Sequence, residues 1–348
     1  MKHIFALALA LLGTAPLRAA EAPTHEVCVI VGAAGDNEFA PGFQKAAQTW
    51  QDNCKKAGAT CTVIGLDDQK GADPEKNSLD RDKLHDWIGK LAPDAKAPVW
   101  IIYLGHGTFD GKDSRFNLRG EDVSAAELAA WLKPVTRPLV FIDGSSASSP
   151  FINALSGKNR VIVTATQSGR EVDYARFGEK FAEAIADPAA DIDQDGEVSV
   201  LEAFIMAEQR VQDFYADANR MATEHALLDD NGDKRGTPPG FFQGTRLVRR
   251  AQSNATPDGD FARNLALIIS PEEAALTPAE LKLRAQCEQE LETLRAQKDE
   301  MAEDDYYAAV EKILRRLEAI YVKPAATAAP PSATASRSAP AATSPPAQ

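Results

Sequence analysis

Between residues 26 and 166 the chain alternates short apolar runs with amphipathic segments. "EVCVIVG" (26–32), "TCTVIGL" (60–66), "PVWIIYLG" (98–105), "RPLVFID" (137–143) and "NRVIVTAT" (159–166) are rich in β-branched residues and read as strands. "FQKAAQTWQDNCKKAG" (43–58), "LDRDKLHDWIGKL" (79–91), "SAAELAAWL" (124–132) and "PFINALSG" (150–157) carry apolar residues at helical spacing, the first ending at Gly58. Apolar strands that alternate with helices predict an α/β fold: a parallel-type sheet with helices on both faces.

From about residue 176 the strand signals fade. Helices flank an acidic loop at 191–202 and lead to "LLDDNGD" (227–233), a looser Gly/Pro-containing stretch (236–260) and one more apolar run, "LALIIS" (265–270). A helical hairpin follows. "TPAE" (277–280) supplies an N-cap threonine, a proline at the first helical position and a glutamate at the third. Leu283, Cys287, Leu291 and Leu294 then form one stripe, and Val310, Ile313, Leu314, Leu317 and Tyr321 a second. Beyond Pro324 the chain is Pro, Ala, Ser and Thr with one Arg, a composition that predicts disorder. The expected organisation is a leader at 1–20, an α/β domain at 21–190, a loop-and-helix extension at 191–270, a hairpin at 271–322 and a tail at 323–348.

The leader is read from "MKHIFALALALLGTAPLRAA": a basic start at Lys2, an apolar stretch from Ile4 to Leu12 and small residues at the end. That is the pattern of a secretory signal, too short to span a bilayer, and it predicts a periplasmic or secreted protein. No later segment is apolar enough to cross a membrane. Without Lys2 and Arg18 the formal charge of −13 becomes −15. So acidic a chain, with no basic cluster interleaved with aromatics, excludes nucleic acid and anionic lipid as partners and favours cations or basic ones.

Four cysteines, Cys28, Cys54, Cys61 and Cys287, are not spaced as a zinc site. Export permits disulfides. Cys54 and Cys61, at a helix end and the next strand's start, are the expected pair; Cys28, inside a strand, is an inert core thiol.

In open α/β sheets, chemistry collects at the carboxyl ends of strands. "VWIIYLGHGTFDG" puts His106 between two glycines after a buried strand, and "LVFIDGSSASS" puts Ser145 after the next. The strand-His-Gly element, followed some forty residues later by strand-acid-small-Ser, resembles the caspase–legumain–gingipain class of cysteine peptidases over roughly residues 25–185. The resemblance implies a caspase-haemoglobinase fold, His106 as general base and position 145 as nucleophile. The chain departs from the pattern there. Ser145 stands where the family has cysteine, and no cysteine lies between residues 62 and 286. A thiol ionises near neutrality, whereas a serine hydroxyl needs a well-oriented base and an oxyanion site. Without such help, "GSSASS" is a turn whose hydroxyls satisfy backbone amides.

"DIDQDGEVSVLE" (191–202) matches the twelve-residue EF-hand calcium loop. Asp191, Asp193 and Asp195 take positions 1, 3 and 5, Gly196 the bend, Glu197 a carbonyl ligand, Ser199 position 9 and Glu202 the bidentate twelfth. Pro188 stops the entering helix early, and "DDNGDK" (229–234) has Lys234 where the template needs glycine, so it reads as a turn. "VGAAGDNEF" lacks the dinucleotide fingerprint. The expectation is an exported calcium-binding, non-catalytic binding or scaffold protein that takes a protein or peptide at the sheet-end cleft. Two alternatives stand beside it: a peptidase using Ser145 with His106, and a cell-envelope tether acting through the hairpin.

Overall fold

The computed structural model describes residues 25–66, 79–249 and 257–322. The expected leader and the Pro/Ala-rich tail lie outside them. Two compact units divide at Ser270 and Pro271.

The first unit is built on a six-stranded sheet. In chain order its elements are β1 (Glu26–Val31), α1 (Ala40–Ala57), β2 (Thr60–Ile64), α2 (Leu79–Gly89), β3 (Val99–Leu104), β4 (Gly107–Phe109), β5 (Ser114–Phe116), β6 (Val123–Ser124), α3 (Ala125–Trp131), β7 (Leu139–Asp143), α4 (Pro150–Leu155), β8 (Arg160–Thr164), α5 (Phe177–Ala184), α6 (Val200–Asp217) and β9 (Leu227–Asp229). The sheet order is β2-β1-β3-β7-β8-β9, parallel throughout except that β9 runs antiparallel to β8. All five strands expected from the apolar runs are present. β9 is an addition. With three residues it has too little pattern to announce itself, as does the small antiparallel sheet β4-β5-β6. The run "LALIIS" forms no strand; Ala266 makes a single bridge to Ser199.

Both faces of the sheet are buried, which is why its strands read as continuous apolar runs. Trp100, Ile102 and Leu104 of β3 face one core with Trp50, Phe177, Phe181 and Phe204. Ile101 and Tyr103 face the other with Leu84, Leu128, Phe141 and Phe151. Each such fully buried side chain stabilises the fold by about 1.5–3 kcal/mol. Asn53 ties α1 to α5 by donating to the Ala182 carbonyl at 2.8 Å, and Trp50 stacks on Phe181. Local signals set the helix ends. Gly58 closes α1 with φ +63°, and Ser124 and Glu127 form a capping box on α3. Val198, Val200 and Leu201 belong to the same core as α1 and α5, so the acidic loop and α6 are part of this unit rather than an appendage.

The second unit is the hairpin, with α7 (Pro271–Ala274), α8 (Pro278–Ala296) and α9 (Glu303–Tyr321). The Thr277–Glu280 capping box forms as expected. Cys287, Leu294, Tyr306 and Ile313 make its small core. The second stripe differs from expectation: Leu314 and Tyr321 are exposed, and Ile320 is buried instead. Steps from 310 through 313 and 317 to 320 hold one face, and 314 and 321 fall past its edge. No helix among the described residues is long and apolar enough to cross a membrane.

Where β7 ends, the backbone passes so close to the start of α5 that a Cβ on Gly144 would sit 2.6 Å from Gly178 Cα and 3.2 Å from the Tyr103 carbonyl. Gly144→Ala is expected to lower stability by about 1–3 kcal/mol, read as a lower urea midpoint at unchanged slope. An unchanged midpoint would refute this packing.

Candidate sheet-end site and calcium loop

β3 and β7 are neighbours, so the segments after them meet at one edge of the sheet. Tyr103, fully buried in β3, turns its hydroxyl back to donate to the carbonyls of His106 (2.7 Å) and Asn117 (3.2 Å), bracing the Gly105–Gly107 turn. Nothing in the sequence marks this tyrosine apart from its place in a buried run. Ser146 Oγ bonds to Gly107 at both its carbonyl (3.1 Å) and its N–H (3.3 Å). A Cβ on Gly107 would lie 2.2 Å from the Ser146 carbonyl, so glycine is required for the two turns to touch.

The structure brings His106 and Ser145 to adjacent turns without joining them. The His106 ring packs edge-on to Phe39 (4.8 Å between centroids) and Phe43 (5.3 Å), beside Tyr174. Its Nε2 bonds the Ala34 carbonyl at 3.1 Å. A carbonyl only accepts, so Nε2 carries the proton and Nδ1 alone is left to act as a base. The Ser145 hydroxyl donates to Asp143 Oδ1 at 2.6 Å, with the Ser146 carbonyl at 3.1 Å as its other acceptor. No hydrogen bond among the described residues links it to His106. Ser145 is 1% exposed. The neighbouring hydroxyls satisfy backbone and one another: Ser114 Oγ donates to the Ala147 carbonyl, while Ser148 and Thr166 exchange bonds across the edge.

Asp143 is completely buried. Burial pushes its carboxyl up to about 7, against the opposing pull of the Ser145 hydroxyl and N–H, and its Oδ2 has no partner. The Ser145 hydroxyl is thus turned toward Asp143 and closed off from solvent in this arrangement.

The acidic loop is organised around its carboxylates. One oxygen from each of Asp191, Asp193 and Asp195 lies within 4.8 Å of the others. Gly196 bends with φ +91°, as the sixth position of the template demands. Asp191 accepts from the Asp195 and Gly196 N–H groups, folding the turn inward. Glu202, 2% exposed, caps α6 reciprocally with Ser199 and also takes the N–H groups of Ile192 (2.8 Å) and Asp193 (3.2 Å). The Glu197 side chain bonds the Ser270 N–H, and its carbonyl is the part the template uses. Burial, then the neighbouring Glu202, Asp195 and Asp191 carboxylates, push Asp193 up to about 6. Clustered, half-desolvated carboxylates repelling one another are the donor set that suits a hard dication. The helix entering the loop does end early. α5 stops at Ala184, and Pro188–Ala190 is a single 3-10 turn.

"DDNGDK" proves to be a turn with anchoring work that its sequence does not show. Asp230 accepts from the N–H groups of Gly259, Phe261 and Ala262 (2.8–2.9 Å), and Asp258 from those of Asp230 and Asn231 and from the Thr237 hydroxyl. Lys234 holds φ +67° where the template would place glycine. These bonds fix the segment that then delivers Leu265 and Ala266 to the start of α6.

No protein-family profile and no curated protein matches this chain. Among solved structures, it is similar to the Drosophila initiator caspase Dronc (14% identity over 63% of this chain and 85% of that one, TM-score 0.41). It is also similar to caspase-1 from Spodoptera frugiperda (12% identity, 59% and 86% covered, TM-score 0.40). Similarity at this level assigns no residue a role.

Asp143 carries a pH signature. Its pKa is 3.8 as an ordinary carboxyl and about 7 in the fold. Between those values the fold keeps a proton that the unfolded chain has released. The stabilisation is therefore complete below about pH 4 and lost as pH rises through 7. Asp143→Asn keeps an acceptor for Ser145 and removes the titration. From pH 4 to 8 its stability should gain on the parent's by on the order of 3 kcal/mol, read from urea midpoints. Part of the parent's slope should persist, because Glu224 and Asp258 are also pushed up to about 7 by burial. A variant whose midpoint tracks the parent at every pH would remove Asp143 from the account.

Proposed function

We propose that this chain is an exported, caspase/legumain-like protein that holds calcium in its 191–202 loop and binds a protein or peptide segment at the sheet end without cleaving it. The observation that carries the non-catalytic reading is the state of Ser145: buried, bonded to Asp143, and unconnected to a histidine whose Nε2–H goes to Ala34. The parallel sheet and the paired strand ends bearing His106 and Ser145 support the family resemblance. The leader-like residues 1–20 support export.

Asp191, Asp193 and Asp195 would hold the ion through carboxylates, Glu197 through its carbonyl, and Ser199 and Glu202 from the start of α6. Bound calcium supplies two positive charges to a cluster that otherwise repels itself. The chain's own part is to present the cluster on a turn fixed by Gly196 and by the Ser199–Glu202 cap. The role is structural, because the loop lies against the sheet's own core through Val198, Val200 and Leu201.

Exported single loops bind calcium at about 10⁻⁴–10⁻³ M, so 10 mM calcium should raise the melting temperature by about 3–10 °C. Asp193→Ala should abolish that rise, whereas Asp233→Ala should leave it intact. A rise that persists in Asp193→Ala and in Asp191→Ala would overturn the assignment. For the sheet end, a peptide mixture incubated with the full chain in millimolar calcium should emerge uncut by mass spectrometry. Cuts that vanish in Ser145→Ala would instead make the protein a serine peptidase.

A further inference from the structure

α1 ends in a tight reversal that carries the chain straight into β2. Gly58 takes the left-handed conformation, its N–H returns to the Cys54 and Lys55 carbonyls, and the Ala59 N–H bonds Cys54 O at 2.9 Å. Two residues later Cys61 enters the sheet opposite Val27. Both cysteines face the same side: Cys54 is a member of the core under α1, and Cys61 packs against it. Each thiol shifts the titration of the other. Cys28 is excluded from the pair, because it faces the opposite core.

We propose that Cys54 and Cys61 form a reversible dithiol–disulfide couple, with Cys61 as the attacking thiol and a low-molecular-weight disulfide as oxidant. The two sulfurs differ in the way the sequence of events needs. Cys61 lies on β2, which has one neighbouring strand, and is partly exposed; Cys54 is 1% exposed. Its interaction with Cys54 lowers the Cys61 thiol, while the same interaction, and then burial, hold Cys54 up.

The Cys61 thiolate attacks one sulfur of the external disulfide, breaking that S–S bond and releasing one thiolate. Cys54 then gives its proton to solvent, and its sulfur attacks Cys61 Sγ. The mixed disulfide breaks and the second thiolate leaves. Two protein thiols are oxidised and one external disulfide is reduced to two thiols. The product staples the end of α1 to the sheet's edge strand.

The test uses the full chain in buffers of graded glutathione to glutathione-disulfide ratio, quenched with an alkylating reagent and read by mass spectrometry. Lys55 and Lys56 lie between the cysteines, so trypsin leaves them on separate peptides that only a disulfide can join. The expected result is a linked Cys54–Cys61 pair appearing with rising oxidant, and an oxidised chain that melts about 5 °C higher than the reduced one. Cys54→Ser, and Cys54→Ala should the serine destabilise the core, should trap glutathione on Cys61. Cys61→Ser should trap none on Cys54. Both thiols alkylated at every ratio, or a link from either to Cys28, would overturn the couple. A trapped adduct on Cys54 in place of Cys61 would overturn the order of attack.

Discussion

The fold depends on buried carboxylates that accept backbone N–H groups where the chain changes direction. Asp143 takes the Ser145 amide, Glu224 those of Arg176 and Phe177, Glu202 those of Ile192, Asp193 and Ser199, and Asp230 and Asp258 those around 230–231 and 259–262. Each acid is removed from water, and its amides are what repay that removal. The repayment is partial. Asp143, Glu224 and Asp258 all stay well above the ordinary carboxyl range, burial being the first cause each time. An acidic chain thus keeps part of its charge inside, as cross-links between turns.

This constraint decides what the sheet end can do. A carboxylate at the end of β7 that must be satisfied takes the nearest hydroxyl, and that hydroxyl is Ser145's. Ser145 is therefore bonded within its own turn. On the next strand, the aromatic ring of contacts around His106 and the bond to Ala34 fix the imidazole in one orientation. The acidic loop at 191–202 differs. There three carboxylates gather within 4.8 Å of one another, and Asp193 is raised first by burial and then by its acidic neighbours. That crowding of like charge sets the loop apart from the anchoring acids.

The parallel sheet was legible because burial on both faces leaves unbroken β-branched runs, and the ends of α1 and α8 because glycine, threonine and proline there act locally. The bend at Gly196 was legible for the same reason. What could not be read depends on partners far along the chain. Asp230 and Asp258 meet across 28 residues with no shared pattern, and Tyr103 braces a turn through a hydroxyl that a buried run conceals. β4, β5, β6 and β9 are too short to show a period. The position of Ser145 was evident in the sequence; its hydrogen-bond partner was not.

The antiparallel strand β9 has one further consequence, for the order in which the molecule is put together. β8 ends at Thr164 and its partner begins only at Leu227, so their pairing closes a long loop. That closure carries an entropic penalty like that of the β1–β3 pairing, which spans α1, β2 and α2. The five parallel strands can assemble from contacts made earlier along the chain. The sixth waits for α5, the acidic loop and α6 to be laid down, and is then locked from the far side by Asp230 and Asp258. β9 is the last strand of the six-stranded sheet in chain order, and the loop at 191–202 lies on the connection that delivers it.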